Sequence, residues 1–371
     1  MKVSQFNLIV LGFFLAQFLS CRYGHKNKQP ILTKLCEITS TGREEIFHNS
    51  KTSTLLKYNS YNESKPLLLS DNGSILKEFP RFQTSSAIFE AFYFDTFNFY
   101  TLNFDTELVK YDKNLNIVHT QNFRSFLKQS DTALFSKYEG LEPMGEISQM
   151  YMNGYVILQA FSKKKFVRTT KELIKNRIES CLLKFHIRND SIVRMEKLSY
   201  ELDDFLGNCD LASYFRLTHL RDDTFAFTSR SFPSIHIADI KQGISIASYP
   251  IINNSVCEQC KSENIQDILK YTEYTLEHCP FIYKVIRTSN GNIYLILVEA
   301  KKSVVNGIRT TPEEFSWKIY NLKPDNKLQV IFSAGPNLYD CVSTVISNEK
   351  VFIKEFPNEG KANIYSFDLN K

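Results

Sequence analysis

The residues best placed to do chemistry are Cys257-Glu258-Gln259-Cys260, followed by His278-Cys279. A C-x-x-C pair with a later His and Cys has the ligand types of a structural zinc site. The adjacent His278 and Cys279 are an awkward pair of ligands for one tetrahedral ion, and the chain has a single C-x-x-C. A disulfide among the three thiols competes in an oxidising compartment, and unpaired thiols are the third reading. A thioredoxin-like role needs the motif to open a helix after a strand. Asn253-Asn254-Ser255, just ahead of it, reads as a loop instead.

Other constellations read more simply. Asp112-Lys113-Asn114-Leu115-Asn116 begins like a calcium loop but lacks the glycine at the sixth position (Ile117) and the acid at the twelfth (Phe123), so a β-hairpin is expected. The acidic pairs Asp203-Asp204, Asp222-Asp223 and Glu313-Glu314 have no visible acid/base partner and read as turn and cap residues. Lys163-Lys164-Lys165, with Arg168, Lys171, Lys175 and Arg177, reads as a solvated basic insertion. H-E-x-x-H, G-x-S-x-G and phosphate-binding glycine loops do not occur, and no cofactor is called for.

The amino terminus is more specific. Lys2, the apolar run Leu8 to Leu15 and the small Ser20 form the three parts of a secretory signal. The apolar run ends too early to span a bilayer, which takes about 20 residues. Leu19-Ser20-Cys21 resembles the lipobox of bacterial lipoproteins, with Phe18 standing where an aliphatic residue is usual. That resemblance makes 1–20 a signal peptide, Cys21 the lipidated residue and 21–30 a flexible tether. Residues 22–29 hold no acid, whereas surface-exported lipoproteins carry an acidic patch there. The expected location is therefore the outer membrane, facing the periplasm.

Hydrophobic content of 43% is ordinary for a globular chain, and 30 Phe and 19 Tyr against 13 Gly and 11 Pro favour aromatic-rich strands. A formal charge of +5 is too mild to point to nucleic acid. Without Cys21 the cysteines are Cys36, Cys181, Cys209, Cys257, Cys260, Cys279 and Cys341, an odd and irregular set that is no disulfide scaffold. Most of them should be small buried hydrophobes.

These residues must sit on a framework, and its period is visible. A strand, a second ending near an acid or Asn, a polar turn and a third strand recur. The clearest copy is 98–104, 108–114 and 115–121; others centre near residues 54, 155, 224, 293 and 351. In most copies another apolar stretch precedes the trio, as at 87–94, 148–153, 214–220, 283–289 and 341–347. Four antiparallel strands per unit make the blade of a β-propeller, here six-bladed. The last unit lacks its outermost strand, and 31–38 is a strand with no unit of its own. Pairing the two would close the ring and remove exposed edges. The expectation is thus an all-β single domain over 31–371, a six-bladed β-propeller closed by an N-terminal strand. A pair of β-sandwiches is the competing reading.

The exported cysteine, the degenerate four-strand units and hairpins such as Tyr111 to Val118 resemble the uncharacterised six-bladed propeller lipoproteins of Bacteroides-type bacteria. The resemblance implies fold and location and brings no catalytic residues. Function divides between a non-enzymatic binding propeller, taking a protein or small-molecule ligand, and a propeller hydrolase or lyase with its site over the channel. The long connections 124–147, 162–179, 201–213, 251–280 and 301–314 should share one face, the expected ligand side. Replacing Cys21→Ala should abolish acyl labelling and move the protein out of the detergent-soluble membrane fraction. Unchanged labelling would end the lipoprotein reading.

Overall fold

A computed structural model of the chain describes residues 30–40, 44–84, 86–95, 97–138, 140–161, 180–198, 215–229, 232–250, 281–288, 290–299, 316–323, 328–335, 338–347, 350–355, 358 and 360–369. The strands form six four-stranded antiparallel sheets, the blades of a six-bladed β-propeller. Numbered along the chain, the blades begin on innermost strands Glu44–Asn49, Ile88–Tyr93, Gly140–Pro143, Phe215–Arg221, Phe281–Arg287 and Tyr339–Ser347. Blades 1 to 5 end on outermost strands Ile75–Glu78, Ile117–Asn122, Ser191–Lys197, Ile244–Pro250 and Leu328–Ala334.

The second strand of a blade is covered on both faces by its neighbours, so it reads as a continuous apolar run. Phe99–Asn103 is buried at every position, and Tyr155–Phe161 and Ile293–Val298 at all but one end. The outermost strands face water and alternate or turn polar; Ile75–Glu78 is exposed throughout. One core runs through blades 2, 3 and 4 by way of Phe92, Ile157, Phe185 and Phe227.

The outermost strand of blade 6 is Thr33–Thr39, paired antiparallel with Lys361–Asp368 in a register from Thr33↔Ser366 to Thr39↔Lys361. The N-terminal strand therefore closes the ring, as the sequence predicts. Behind this closure lies a buried charge cluster. Lys354 is fully buried, donates from Nζ to the Glu44 carbonyl at 2.8 Å, and lies 3.4 Å from Asp340 Oδ2 and 3.8 Å from Glu44 Oε2. The Ser40 hydroxyl donates to the same Glu44 carboxylate. Lys57, buried beside it, is pushed below the ordinary lysine range by that burial, against the pull of Glu44.

Each other blade boundary also carries a polar bond. Asn49 Nδ2 donates to the Tyr93 carbonyl at 3.0 Å between blades 1 and 2. Lys110 donates to Asp190 at 2.7 Å between blades 2 and 3, and Lys184 to Asp223 at 3.0 Å between 3 and 4. Thr218 donates to the Val285 carbonyl at 2.8 Å between blades 4 and 5. Trp317, fully buried in the core, donates from Nε1 to the Tyr339 carbonyl at 2.8 Å between blades 5 and 6.

Two local expectations are corrected. Residues 148–153 are not an innermost strand. They belong to a helix, and Gly140–Pro143 takes the strand position. Two helices, α1 (Phe123–Ser130) and α2 (Thr132–Lys137), lie between blades 2 and 3, and a third, α3 (Ile147–Met152), joins the first and second strands of blade 3. In α3, Ile147 and Met150 bury one face at helical spacing. Blade 1 also has an innermost strand, Glu44–Asn49, which the repeat pattern does not predict.

Antiparallel order puts every second-to-third connection, and every connection between blades, at one end of the propeller. The strands that flank 162–179, 201–213, 251–280 and 301–314 end at that face, as does the strand ahead of 124–147. Blade 3 departs from the expected pattern, because 124–147 takes in Gly140–Pro143 and the first-to-second connection 144–154 carries a helix where a short turn was expected. Substituting Lys354→Met keeps the side-chain volume but leaves Glu44 and Asp340 buried without their shared cation. Removing one partner of a buried ion pair costs about 3–5 kcal/mol. A loss of that order in urea denaturation is expected; wild-type stability would show that the cluster does not hold the closure.

Candidate functional site: the central channel

All six blades line one channel of about 720 Å³ along the propeller axis. Its wall is not uniform. Towards the long-loop face it carries Glu45, Tyr58, Glu90 and Glu146, with Phe89 and Phe104 packed edge to face at 5.4 Å. Towards the short-turn face it carries His48, His219, Arg287, Ser347 and Asn153. Lys284 lies along the same wall.

The carboxylates are engaged. Glu90 accepts from the Ile147 N–H at 2.6 Å and the Ser148 N–H at 3.3 Å, capping α3 from the neighbouring blade. Glu146, at the cap position itself, makes no side-chain capping bond, so Glu90 supplies the missing acceptor. Burial pushes the Glu90 carboxyl above its ordinary range, while its hydrogen bonds from Ser148 and Ile147 and the charge of Lys284 pull it back. Tyr58 donates to Glu45 at 3.0 Å, and its phenol is raised by burial and by the charges of Glu45 and Glu90.

Helix α3 can line the channel because of Gly145. Its φ of +73° suits glycine, and a Cβ there would stand 1.6 Å from the Leu217 carbonyl oxygen of blade 4. Backbone contact of that closeness turns the chain inward between Pro143 and Ile147, so blade 3 presents a helix where the other blades present a strand.

His48 has only 7% of its side chain exposed, and neither ring nitrogen makes a hydrogen bond. Its ring packs on Phe352 of blade 6 with centroids 4.8 Å apart, and Nε2 lies 3.7 Å from Asp71. Lys350 lies 3.8 Å from the other Asp71 oxygen. Burial lowers the His48 pKa, Asp71 opposes that shift, and Lys350 reinforces it.

Cys21, Cys257, Cys260, His278 and Cys279 lie outside the described residues, as do the basic run at 163–177 and the pairs Asp203-Asp204 and Glu313-Glu314. Cys209 also lies outside the described residues; of the other cysteines, Cys181 and Cys341 are buried and Cys36 half-buried, none of the three in a disulfide, and burial pushes Cys181 up to about 11. Asp112 closes the expected hairpin by accepting from the Asn114 and Asn116 N–H groups at 2.8 and 2.9 Å. Asp223 sits in a tight turn and holds Lys184. The channel residues were not singled out in the sequence, where no motif links positions drawn one or two from each blade. Among the described residues, no three His, Cys, Asp or Glu side chains gather as a metal site.

No family model matches the chain, and no curated protein matches it. Solved structures do. A member of the DUF4221 family from Bacteroides vulgatus superposes with a TM-score of 0.57 at 10% identity, covering 92% of this chain and 99% of that one. The β-propeller domain of Myceliophteria thermophila Cps50 (Swd1) gives 0.43 at 10% identity over 90% and 99%. The first of these supports the six-bladed propeller and, at such identity, the fold alone.

The His48 environment predicts an acid sensitivity. The unfolded side chain protonates near its usual pKa of about 6.5, while the folded one resists. Its contribution is present above that pH and is lost as pH falls through the depressed folded value. His48→Phe should therefore flatten the decline in stability between pH 7.5 and 5 relative to wild type. Parallel curves for the two proteins would exclude His48 as the source.

Proposed function

We propose that the protein is an exported lipoprotein, held on the outer membrane through Cys21, that binds a protein or small-molecule ligand at the long-loop mouth of its channel without transforming it. Membership of the six-bladed propeller lipoproteins of Bacteroides-type bacteria is part of this proposal. The observation that carries it is the channel: about 720 Å³, lined from six blades, with Glu45, Phe89 and Phe104 towards the end at which the strands flanking the long connections stop. Cavities of roughly 300–1,000 Å³ are the usual size for a small-molecule site. Exposed Phe104 and half-buried Phe89 offer an aromatic surface on that side.

The position of the closing strand supports the orientation. Thr33, its first residue, pairs with Ser366 at the short-turn end of blade 6. About 12 residues separate Cys21 from Thr33, a reach of at most about 40 Å. An anchored molecule would then have its tether leaving from the short-turn face, with the long loops free to point into the periplasm. Hydrogen exchange on the detergent-extracted protein, with and without whatever co-purifies, tests the reading. Protection is expected in at least two of 124–147, 162–179, 201–213, 251–280 and 301–314. Protection confined to 112–114 and 324–326 would overturn it.

A further inference from the structure

Among the described residues, two cations line the channel without a hydrogen bond or ion pair of their own, Lys284 midway along the innermost strand of blade 5 and Arg287 at its end. Arg287 ends the innermost strand of blade 5, is half-buried, and lines the channel, yet makes no hydrogen bond or ion pair with any described residue. This sets it apart from the other long cations between blades: Lys110, Lys184 and Lys354 each hold a carboxylate. It also sets it apart from the channel acids, since Glu90 is spent on α3 and Glu45 on Tyr58. A partly desolvated guanidinium with five donors and no acceptor is a costly arrangement unless something else accepts from it.

The groups at the same level of the channel suit an anion. His48 is more than nine-tenths buried with both ring nitrogens lacking a hydrogen bond, and His219, Ser347 and Asn153 line the wall with it. His219 Nε2 donates to the Asp222 carbonyl at 2.9 Å, so that N–H is already used, and Ser347 and Asn153 are the uncharged polar groups that remain for an anion beside Arg287. The channel-lining carboxylates Glu45, Glu90 and Glu146 lie towards the other mouth, and Asp71, the acid nearest His48, has Lys350 beside it at 3.8 Å, so the field along the channel draws negative charge away from the long-loop face and towards Arg287.

We propose that Arg287 binds a compact oxyanion, a carboxylate or phosphate group carried by the channel ligand, which enters from the long-loop face and points this group inward. Arg287 takes two of its oxygens in the paired geometry a guanidinium favours. This rests on the channel being the ligand site.

Calorimetric titration of the detergent-solubilised full-length protein, freed of co-purifying ligand, tests it at pH 7 and low salt. Inorganic phosphate and acetate serve as separate probes and distinguish the two sources of the oxyanion. One of them is expected to bind at a single site. Arg287→Gln should weaken that binding at least tenfold, Arg287→Lys should retain part of it, and Lys113→Gln on the exposed short-turn rim should leave it unchanged. If Arg287→Gln does not fold, the wild-type protein still decides the matter: the bound anion should slow hydrogen exchange across 282–288. Undiminished binding by Arg287→Gln, equal losses in the Lys113 control, or no binding of either anion would overturn the proposal. In the last case, protection of the long-loop segments by the co-purified ligand would still uphold the channel as the binding site.

Discussion

Everything in this molecule depends on joining Thr33–Thr39 to Lys361–Asp368. A propeller blade is stable because both faces are covered, and five blades in an arc would leave two faces and two edges open to water. The closing strand supplies the missing edge of blade 6. The cluster of Lys354, Glu44, Asp340 and Lys57 then fastens the boundary between blades 6 and 1 from inside. A buried cluster of opposite charges adds little net stability, because desolvation offsets most of its attraction. It is demanding about geometry, however: a slipped ring would bury these charges unpaired.

The same logic, in weaker form, operates around the ring. Each boundary has an extended apolar contact and at least one bond between named polar groups, such as Lys110 with Asp190 or Trp317 with the Tyr339 carbonyl. The apolar contact supplies most of the stabilisation, and the polar bond fixes the register of one blade against the next. Blade 3 departs from the pattern at α3, where Glu90 of blade 2 reaches across to cap the helix. That departure gives the channel its asymmetry. On one side it has a helix held by a carboxylate, and on the other the strand that ends in Arg287.

Much of the fold was legible in the sequence because a propeller repeats its hydrophobic pattern. Runs such as Tyr155 to Ala160 and Ile293 to Val298 announce strands covered on both faces, and the ownerless strand at 31–38 announced the closure. Two elements were hidden for definable reasons. Glu44–Asn49 begins with two acids and reads as surface; its burial depends on Lys354, 310 residues away. Residues 148–153 are too short for periodicity to separate helix from strand. The spacing of Ile147, Met150 and Tyr151, followed by Asn153-Gly154, was the available sign of a helix. The channel side chains were illegible because their significance arises only from convergence. Nothing near Arg287 or His48 in the chain marks either one.

The closure also sets an order of events in time. Thr33 and Ser366 are partners separated by almost the entire chain, and contacts of such range slow folding because the intervening segment must be ordered first. Five blades can form from neighbouring strands alone, whereas the sixth must wait for both ends. Until then Ile38, Ile364 and Ala362, which share one small core with Leu55 and Phe352, lie open to solvent. The period before closure is when this molecule is most exposed to proteases and to self-association through unpaired strand edges. An intermediate with one open seam is the species that a chaperone would meet.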